Sequence, residues 1–190
     1  LYHRILMKAL LVDDTHPLLE EGLIAGGLQV IREFEAPLAT LAQQHADTEV
    51  IIIRSRLKVS ADFLKAFPQL KVIGRLGAGL ENIDLNEAAR RHITCLRVPE
   101  GNARAVAEHA LGMLLSLLNH LPRVHREIKE GKWLRESNKG RELRALKVGV
   151  IGYGIMGGTF ARLLDAMGVD VLAYDKYKSG YAEGGVVECS

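Results

Sequence analysis

The sequence of 190 residues contains only two cysteines, Cys95 and Cys189, and their separation fits no metal-binding or redox spacing. This scarcity excludes a disulfide framework and predicts two buried thiols in a reducing, cytoplasmic compartment, with no metal site. An excess of charge is also missing, because 25 basic residues stand against 23 acidic ones without a basic stripe. A nucleic-acid partner is therefore not expected.

A long hydrophobic run is absent as well. The most apolar stretch, ALGMLLSLLNHL at residues 110–121, is interrupted by polar side chains. It is shorter than the roughly 20 apolar residues that span a membrane, so no membrane partner is predicted. No signal peptide is evident, and Met7 followed by Lys8 resembles a natural start, so residues 1–6 are expected to be an upstream extension without function.

Short aliphatic runs alternate with amphipathic helices in the first half of the chain. The runs are β-branched and nearly continuous, which is typical of parallel strands buried on both faces. The predicted strands are Lys8–Val12, Leu28–Ile31, Glu49–Arg54, Lys71–Arg75 and Ile93–Leu96. The predicted helices are Pro17–Ile24, Pro37–Gln44, Ala61–Phe67 and Leu85–Arg91, the last two capped by Ser60 and Asp84. This alternation predicts a doubly wound, flavodoxin-like α/β domain over residues 1–98.

A second domain, residues 99–190, is predicted to open with one long helix at residues 103–129. The first part of this helix is apolar nearly all round, so we expect a neighbouring domain or a partner subunit to cover it. Trp133 is expected to anchor the polar connector that follows by packing. The remaining predicted elements are strands at Leu146–Ile151, Val169–Asp175 and Gly185–Ser190 and a helix at Thr159–Met167.

The opening LLVDDTHPLLEEGL resembles the start of a phosphate-accepting receiver domain, in which paired carboxylates such as Asp13 and Asp14 hold magnesium. Such a domain needs an acceptor aspartate at the end of its third strand, where this sequence has Arg54. Arginine cannot accept a phosphoryl group and would repel the metal. We therefore interpret Asp13–Thr15 as a polar strand-to-helix turn that includes a helix cap.

The stretch GYGIMG places Gly152, Gly154 and Gly157 at G-x-G-x-x-G spacing, between a predicted strand and a predicted helix. The first glycine permits the tight turn, the second lets a diphosphate approach, and the third allows the helix to pack closely on its strand. The N-terminus of the predicted helix offers free N–H groups and a partial positive charge to the diphosphate. The alternative is a glycine turn that only joins a strand to a helix.

Asp175 ends the next predicted strand, near the expected offset of about 20 residues from the glycine turn. Its carboxylate can accept both ribose hydroxyls of an adenosine and would repel a 2′-phosphate, which favours NAD over NADP. The strands therefore predict the first half of a Rossmann domain with NAD as its cofactor.

Ligands of open parallel sheets bind beyond the carboxyl ends of the strands. In the first domain those ends carry Asp13–His16, Arg54–Arg56 and Gly77–Leu80, a set that suits a small carboxylate or phosphate. The alternatives are a surface salt bridge for Arg54 and a plain turn for the glycine loop.

Several segments in order, among them KVIGRLGAGLENIDL, VPEGNARAVAEHALGMLL and VGVIGYGIMGGTFARLLDAMGVDVLAYDKY, resemble the D-isomer-specific 2-hydroxyacid dehydrogenases, with the phosphoglycerate dehydrogenase branch as the nearest match. The resemblance implies that the first domain binds a small hydroxy acid and the second binds NAD. Glu81 stands where the family usually has aspartate. The resemblance also implies a homodimer formed through the long helix.

The residue roles implied by the resemblance fall into two sets. The implied substrate-binding residues are Arg54, Ser55, Ala78, Gly79 and Asn102. The implied cofactor-binding residues are Val106, Gly152, Gly154, Ile155, Met156, Gly157 and Asp175.

Only three strands of the Rossmann domain are present, whereas a complete one has about six. The resemblance places the catalytic arginine, acid and histidine after Ser190, so no catalytic residue is assigned in this chain. We expect the 190 residues alone to turn over no substrate, because they lack the general acid/base. The expected function is oxidation of 3-phosphoglycerate; the alternatives are a hydroxypyruvate or glyoxylate reductase and a non-catalytic NAD-sensing protein.

Overall fold

The computed structural model describes residues 6–190, and the chain divides into two compact units that meet between Val98 and Pro99. The predicted upstream extension, residues 1–6, therefore lies almost entirely outside the described residues. None of the helices in residues 6–190 is long and apolar enough to cross a membrane.

The first unit is a five-stranded sheet in the order β2-β1-β3-β4-β5, and every neighbouring pair is parallel. This order is that of flavodoxin-like sheets, and it confirms the predicted α/β fold class. The strands are β1 Lys8–Leu11, β2 Gln29–Arg32, β3 Val50–Ile53, β4 Val72–Arg75 and β5 Thr94–Arg97. The helices are α1 Pro17–Ala25, α2 Leu38–Gln44, α3 Ala61–Ala66 and α4 Leu85–Arg90.

Alternate residues of the central strands enter two separate clusters, one on each face of the sheet. On one face Ile51 and Ile53 pack in a cluster with Phe63 and Phe67 of the α3 region. On the other face Val50 and its neighbours on β1 and β3 form a smaller cluster. The sheet is thus covered on both sides, as its continuous aliphatic runs predict.

Two predicted helix caps of this unit are confirmed. The Ser60 hydroxyl accepts a hydrogen bond from the N–H of Phe63 at 3.3 Å, and the Asp84 carboxylate accepts one from the N–H of Glu87 at 3.0 Å. The cap of α1 was predicted one residue too early. His16 occupies that position, and its Nδ1 accepts a 3.3 Å hydrogen bond from the N–H of Leu18.

The second unit contains a three-stranded parallel sheet in the order β6-β7-β8, with α5 packed against α7. Its elements are α5 Glu100–Leu118, α6 Leu121–Lys129, a 3₁₀ turn at Leu143–Ala145, β6 Lys147–Ile151, α7 Ile155–Ala166, β7 Asp170–Tyr174 and β8 Val186–Glu188. Leucines of α5 complete the core that α7 and the strands form.

The prediction of one continuous helix over residues 103–129 is wrong. Two helices occupy this range, and they are separated at His120, whose backbone is left-handed with φ of 54°. The cause lies two residues further on, because Pro122 has no N–H to donate to the carbonyl of Leu118 and its ring crowds that carbonyl. The Leu118 carbonyl instead accepts a 3.1 Å hydrogen bond from the N–H of Arg141.

Two further predictions about burial differ from the structure. Trp133 is 80% exposed, so it does not anchor the connector by packing within the described residues. Both cysteines are half-buried and free, and partial burial raises the pKa of the Cys95 thiol. Met113 and Leu117 of α5 face outward at 57% and 72% exposure, and cover by a neighbouring domain or a partner subunit stays a prediction.

Candidate functional site

Arginines gather at the carboxyl edge of the first sheet. Arg32, Arg75 and Arg97 are the last residues of β2, β4 and β5, and Arg54 follows β3 directly. Arg75 and Arg97 are register partners on adjacent parallel strands. One edge of the sheet therefore carries a row of cations at the place where ligands of such sheets bind.

The Arg54 guanidinium is exposed and makes no hydrogen bond or ion pair to another described side chain or carbonyl. Its backbone, by contrast, is fixed. The Arg54 N–H donates a 2.5 Å hydrogen bond to the buried carboxylate of Asp13, and its carbonyl accepts from the side chains of Arg75 and Asn82. The surface salt bridge considered for Arg54 is absent, which leaves this cation and the exposed Ser55 available to a ligand.

Arg56 has a different environment although it lies two residues away. Its guanidinium donates to the carbonyls of Val12, Glu33 and Ala36 at distances between 2.7 and 3.3 Å and lies 3.8 Å from Asp13. Arg56 and Asp13 thus tie the ends of β1, β2 and β3 together. The aspartate that suggested a receiver domain holds the backbone of Arg54.

The glycine loop after β4 is held from two sides. Arg75 donates to the carbonyl of Gly79 and to the carboxylate of Glu81, both at 2.9 Å. Arg97 donates to the carbonyl of Ala78 at 2.9 Å. The N–H groups of Ala78 and Gly79 have no hydrogen-bond partner among the described residues, so they are open to an acceptor.

The glycine turn of the second unit begins with Gly152, whose φ of +93° an L side chain rarely adopts. Its N–H donates a 2.7 Å hydrogen bond to the carbonyl of Tyr174 at the end of β7. At Gly157 a Cβ would lie 1.8 Å from the carbonyl oxygen of Gly152. The first and third glycines therefore have the roles that their spacing predicts.

Gly154 differs from the other two, because its φ is −77° and a Cβ there would meet nothing within 4 Å. The turn itself does not need a glycine at this position. The N–H groups of Ile155, Met156 and Gly157 at the start of α7 have no partner among the described residues. Open space and free N–H groups together form a cradle that suits a diphosphate.

The carboxylate of Asp175 is bound by backbone N–H groups on both of its oxygens. Tyr153 donates to Oδ2 at 2.7 Å, and Tyr177 and Lys178 donate to Oδ1 at 2.9 and 3.0 Å. The hydrogen bond from Tyr177, with those from Tyr153 and Lys178, holds the pKa of Asp175 below its usual value. Asp175 therefore stays ionised at neutral pH and links β7 to the glycine turn.

A crevice of about 550 Å³ lies beside this turn within the second unit. Three cations line it, Arg104 from α5, Arg162 from α7 and Lys178 after β7, against one acid, Glu100. Tyr153 and Tyr181 also line it, and their rings stack with centroids 4.4 Å apart. The excess of positive charge beside free N–H groups favours a polyphosphate ligand.

The predicted site residues fall into separate groups. Arg54, Ser55, Ala78 and Gly79 share the carboxyl edge of the first sheet, and the six residues from the glycine turn to Asp175 share the end of the second. Asn102 and Val106 lie on the exposed face of α5 and do not line the crevice beside the turn, which α5 reaches through residues 100, 103 and 104. Their roles stay predictions.

Sequence reasoning placed Asp13 and Arg56 at the ligand-binding strand ends but missed that they support other groups there, and it did not name Arg75 and Arg97 at all. A signal was present for the last two, since each strand from β2 to β5 ends in arginine or is followed by one. No pattern in the sequence distinguishes Arg56, which donates to backbone carbonyls, from Arg54, which does not.

Comparisons with known proteins agree with this arrangement. A family model described as D-isomer specific 2-hydroxyacid dehydrogenase, catalytic domain, matches residues 5–185. The D-3-phosphoglycerate dehydrogenase of Archaeoglobus fulgidus is 38% identical over 173 residues, which cover 91% of this chain and 33% of that protein. The hydroxypyruvate reductase of Thermotoga maritima is 39% identical over 132 residues, covering 70% of this chain and 43% of that protein.

Among solved structures, D-lactate dehydrogenase from Aquifex aeolicus, complexed with NAD and lactic acid, superposes with a TM-score of 0.79 at 27% identity. The match covers 96% of this chain and 56% of that one. The chain spans about a third of the length of the phosphoglycerate dehydrogenase that it matches. The family match extends across both units, and the chain belongs to the D-isomer-specific 2-hydroxyacid dehydrogenase family.

Proposed function

We propose that this protein is part of an NAD-dependent oxidoreductase that interconverts a small D-2-hydroxy acid and its 2-oxo acid. The observation that carries the proposal is the turn from Gly152 to Gly157. In this turn Gly157 leaves no room for a side chain, whereas the space beside Gly154 is open to a ligand. The N–H groups at the start of α7 have no partner among the described residues. A turn that only joined a strand to a helix would not need the open glycine at position 154.

The second unit fits NAD by its own residues. The N–H groups of Ile155 to Gly157 and the three nearby cations would hold the diphosphate, and Asp175 would accept from a ribose hydroxyl. Two of the hydrogen bonds that Asp175 accepts fall on one oxygen, which leaves acceptor capacity on the other. Bound NAD supplies hydride transfer.

The first unit fits a small anionic acid. Arg54 offers an unpaired guanidinium beside the exposed hydroxyl of Ser55, and the loop at Ala78 and Gly79 offers free N–H groups. A carboxylate accepts well from both kinds of donor.

We favour 3-phosphoglycerate as the substrate because an acid with two anionic groups can use both the guanidinium of Arg54 and the free N–H groups. The relative with the broader match, from Archaeoglobus fulgidus, is also named for that acid. Hydroxypyruvate or glyoxylate is the second candidate, favoured by the hydroxypyruvate reductase from Thermotoga maritima at 39% identity.

A homodimer through α5 and α6 is part of the proposal. The outward side chains of Met113, Leu117 and Leu121 are between 53% and 72% exposed. They adjoin a groove of about 710 Å³ that these two helices line. Apolar surface of this kind is stabilised when a partner covers it.

Both cysteines are free thiols, which supports the reducing cytoplasm as the compartment.

The test begins with calorimetric titration of the 190-residue chain with NAD and with NADP. We expect NAD to bind and NADP to bind at least about tenfold more weakly, because Asp175 repels a 2′-phosphate. The full-length protein is then assayed for NADH production from 3-phosphoglycerate and for NADH oxidation with hydroxypyruvate and glyoxylate. Absence of NAD binding to the chain would refute the assignment of the second unit.

A further inference from the structure

We propose that Arg75 and Arg97 are positioning residues that orient the N–H groups of Gly79 and Leu80 towards the acid by holding the carbonyls of the same peptide groups. The inference rests on the proposed function of the first unit and extends it in two ways. It assigns a role to two side chains that do not contact the acid themselves. It also shifts the second anion-binding N–H from Ala78 to Leu80.

The first step concerns the geometry of a peptide group. In a trans peptide the C=O and the N–H point in opposite directions within one plane, and no described bond is cis. The carbonyl of Ala78 shares its peptide group with the N–H of Gly79, and the carbonyl of Gly79 shares its own with the N–H of Leu80. Fixing these two carbonyls fixes the direction of both N–H groups.

The second step concerns which groups fix them. Arg97 donates to the Ala78 carbonyl and Arg75 donates to the Gly79 carbonyl, each at 2.9 Å. The two guanidinium groups come from register partners on neighbouring strands, so the rigid sheet sets their spacing. The N–H groups of Gly79 and Leu80 have no partner among the described residues and lie opposite to the bound carbonyls.

The third step explains the two glycines of the loop. A Cβ at Gly77 would lie 2.6 Å from Nη1 of Arg75, and a Cβ at Gly79 would lie 1.9 Å from a carboxylate oxygen of Glu81. The side-chain ends of Arg75 and Glu81 therefore occupy the space beside these two glycines, and a side chain at either glycine would displace one member of the ion pair. Arg75 also donates to the carbonyl of Arg54 at 3.2 Å, so one guanidinium links both parts of the proposed acid site.

Electrostatics favours the same arrangement. Hydrogen bonds to a carbonyl from a charged donor are stronger than neutral ones, and they polarise the peptide group so that its N–H becomes a better donor. Arg75 and Arg97 bring two positive charges to the loop carbonyls, and Glu81 offsets that of Arg75. The ion pair between Arg75 and Glu81 also helps to hold the Arg75 guanidinium in place. The guanidinium of Arg54 is exposed and forms no ion pair with a carboxylate of the described residues, so its charge stays available to the ligand.

The test compares lysine substitutions in the ¹⁵N-labelled 190-residue chain. Arg75 uses three nitrogens on three different partners, whereas Arg97 makes one hydrogen bond. Lysine keeps the charge but carries its donors on a single nitrogen, which can serve the one partner of Arg97 and not the three separated partners of Arg75. Arg97→Lys is therefore expected to behave like the wild type, and Arg75→Lys is not. Arg90→Ala is the control, because Arg90 makes only an exposed ion pair within α4.

Two readouts separate the inference from the proposed function. Without ligand, we expect the backbone order parameters at Gly79 and Leu80 to fall from about 0.85 to below about 0.6 in Arg75→Lys. On titration with 3-phosphoglycerate, we expect these two N–H signals to shift in the wild type and the Kd to rise about tenfold in Arg75→Lys. Urea unfolding checks that the fold is kept, and Arg97→Gln replaces Arg75→Lys if that variant does not fold.

The outcomes have distinct meanings. Unchanged order parameters and an unchanged Kd in Arg75→Lys and Arg97→Gln would overturn the positioning role. A loss of stability without a change in loop order would also overturn it, because it would show a purely structural role. If no N–H signal shifts in the wild type, the proposed acid site fails, while the order parameters still decide whether the two arginines orient the loop.

Discussion

The two units have their candidate sites at the same place, the carboxyl edge of a parallel sheet, but the sites are supported in different ways. In the first unit long charged side chains support the strand ends and the glycine loop, with Arg56, Arg75 and Arg97 donating to backbone carbonyls. In the second unit the backbone supports itself, because Gly157 packs directly on the carbonyl of Gly152.

The difference shows how each site will respond to substitution. In a site that side chains support, each substitution removes the hydrogen bonds of one side chain, so ligand affinity is expected to fall by a limited amount each time. A site that depends on backbone contact at Gly157 has no room for an intermediate response, since the smallest side chain already overlaps an oxygen. Five experiments test this contrast, beginning with the largest expected effect.

Gly157→Ala is expected to have the largest effect. The new Cβ would lie 1.8 Å from the Gly152 carbonyl oxygen, so α7 must move away from β6. We expect a loss of about 3 kcal/mol in the free energy of unfolding of the second unit, measured in urea. The control is Gly112→Ala in α5, where a Cβ meets nothing within 4 Å and helix propensity predicts a small gain. Equal stability of the two variants would contradict the contrast.

The pair Arg54→Ala and Arg56→Ala is expected to separate binding from stability in the first unit. Arg56 donates to three backbone carbonyls, so its loss should cost about 1–3 kcal/mol of unfolding free energy. The Arg54 side chain has no partner in the described structure, so its loss should change stability by less than about 0.5 kcal/mol. Binding of 3-phosphoglycerate should weaken in Arg54→Ala by about tenfold. The reverse pattern would exclude the proposed roles.

Gly154→Ala tests whether the second glycine serves a ligand or the turn. Its φ of −77° suits alanine and the Cβ would meet open space, so the melting temperature should stay near that of the wild type. A bound diphosphate would meet that Cβ, and we expect NAD binding to weaken by about tenfold in calorimetric titration. Unchanged NAD affinity would show that the diphosphate does not approach this residue.

A smaller, acid-dependent effect is expected at Asp175. Its pKa is lowered in the folded chain, so the stabilisation is complete above the unfolded pKa of about 3.9 and is lost as the pH falls through the folded value. The melting temperature of Asp175→Asn should lie below that of the wild type at pH 7, and the gap should close as the pH falls below about 4. A gap that persists in acid would contradict this cause.

Asp47→Asn sharpens the comparison, because the hydrogen bond from Lys8 lowers the pKa of Asp47 in the first unit. That interaction joins two exposed charges, so salt at about 1 M should remove most of its effect on the melting temperature. The effect of Asp175→Asn should persist in salt, because its partners are backbone N–H groups.

The strands could be predicted from the sequence because burial on both faces leaves a continuous aliphatic signal in runs such as Val50–Ile53. The glycine turn could be predicted because its function restricts residue type at fixed spacing. The end of α5 could also have been predicted, because Pro122 lies inside the predicted helix, where proline removes an N–H donor and crowds the carbonyl four residues earlier. The sequence does not show which group the Leu118 carbonyl then binds, because its donor at Arg141 lies 23 positions further along the chain.

The supporting arginines show a second limit of sequence reasoning. The guanidinium of Arg56 donates to three backbone carbonyls and that of Arg54 to none in the described residues, and these partners come from segments that the fold brings near. Asp13 was interpreted as part of a helix cap, yet it accepts from a residue 41 positions further along the chain. Contacts over such separations depend on the fold as a whole, so local patterns do not contain them.

The hydrogen bond between the N–H of Arg141 and the carbonyl of Leu118 has a consequence for sequence drift. Because the donor belongs to the main chain, replacing the side chain at position 141 by any residue other than proline leaves the bond intact. The connector that carries Trp133 is therefore held near its end by a backbone N–H, a group that every amino acid except proline has. Its surface can change in composition from one homologue to another while its path stays the same.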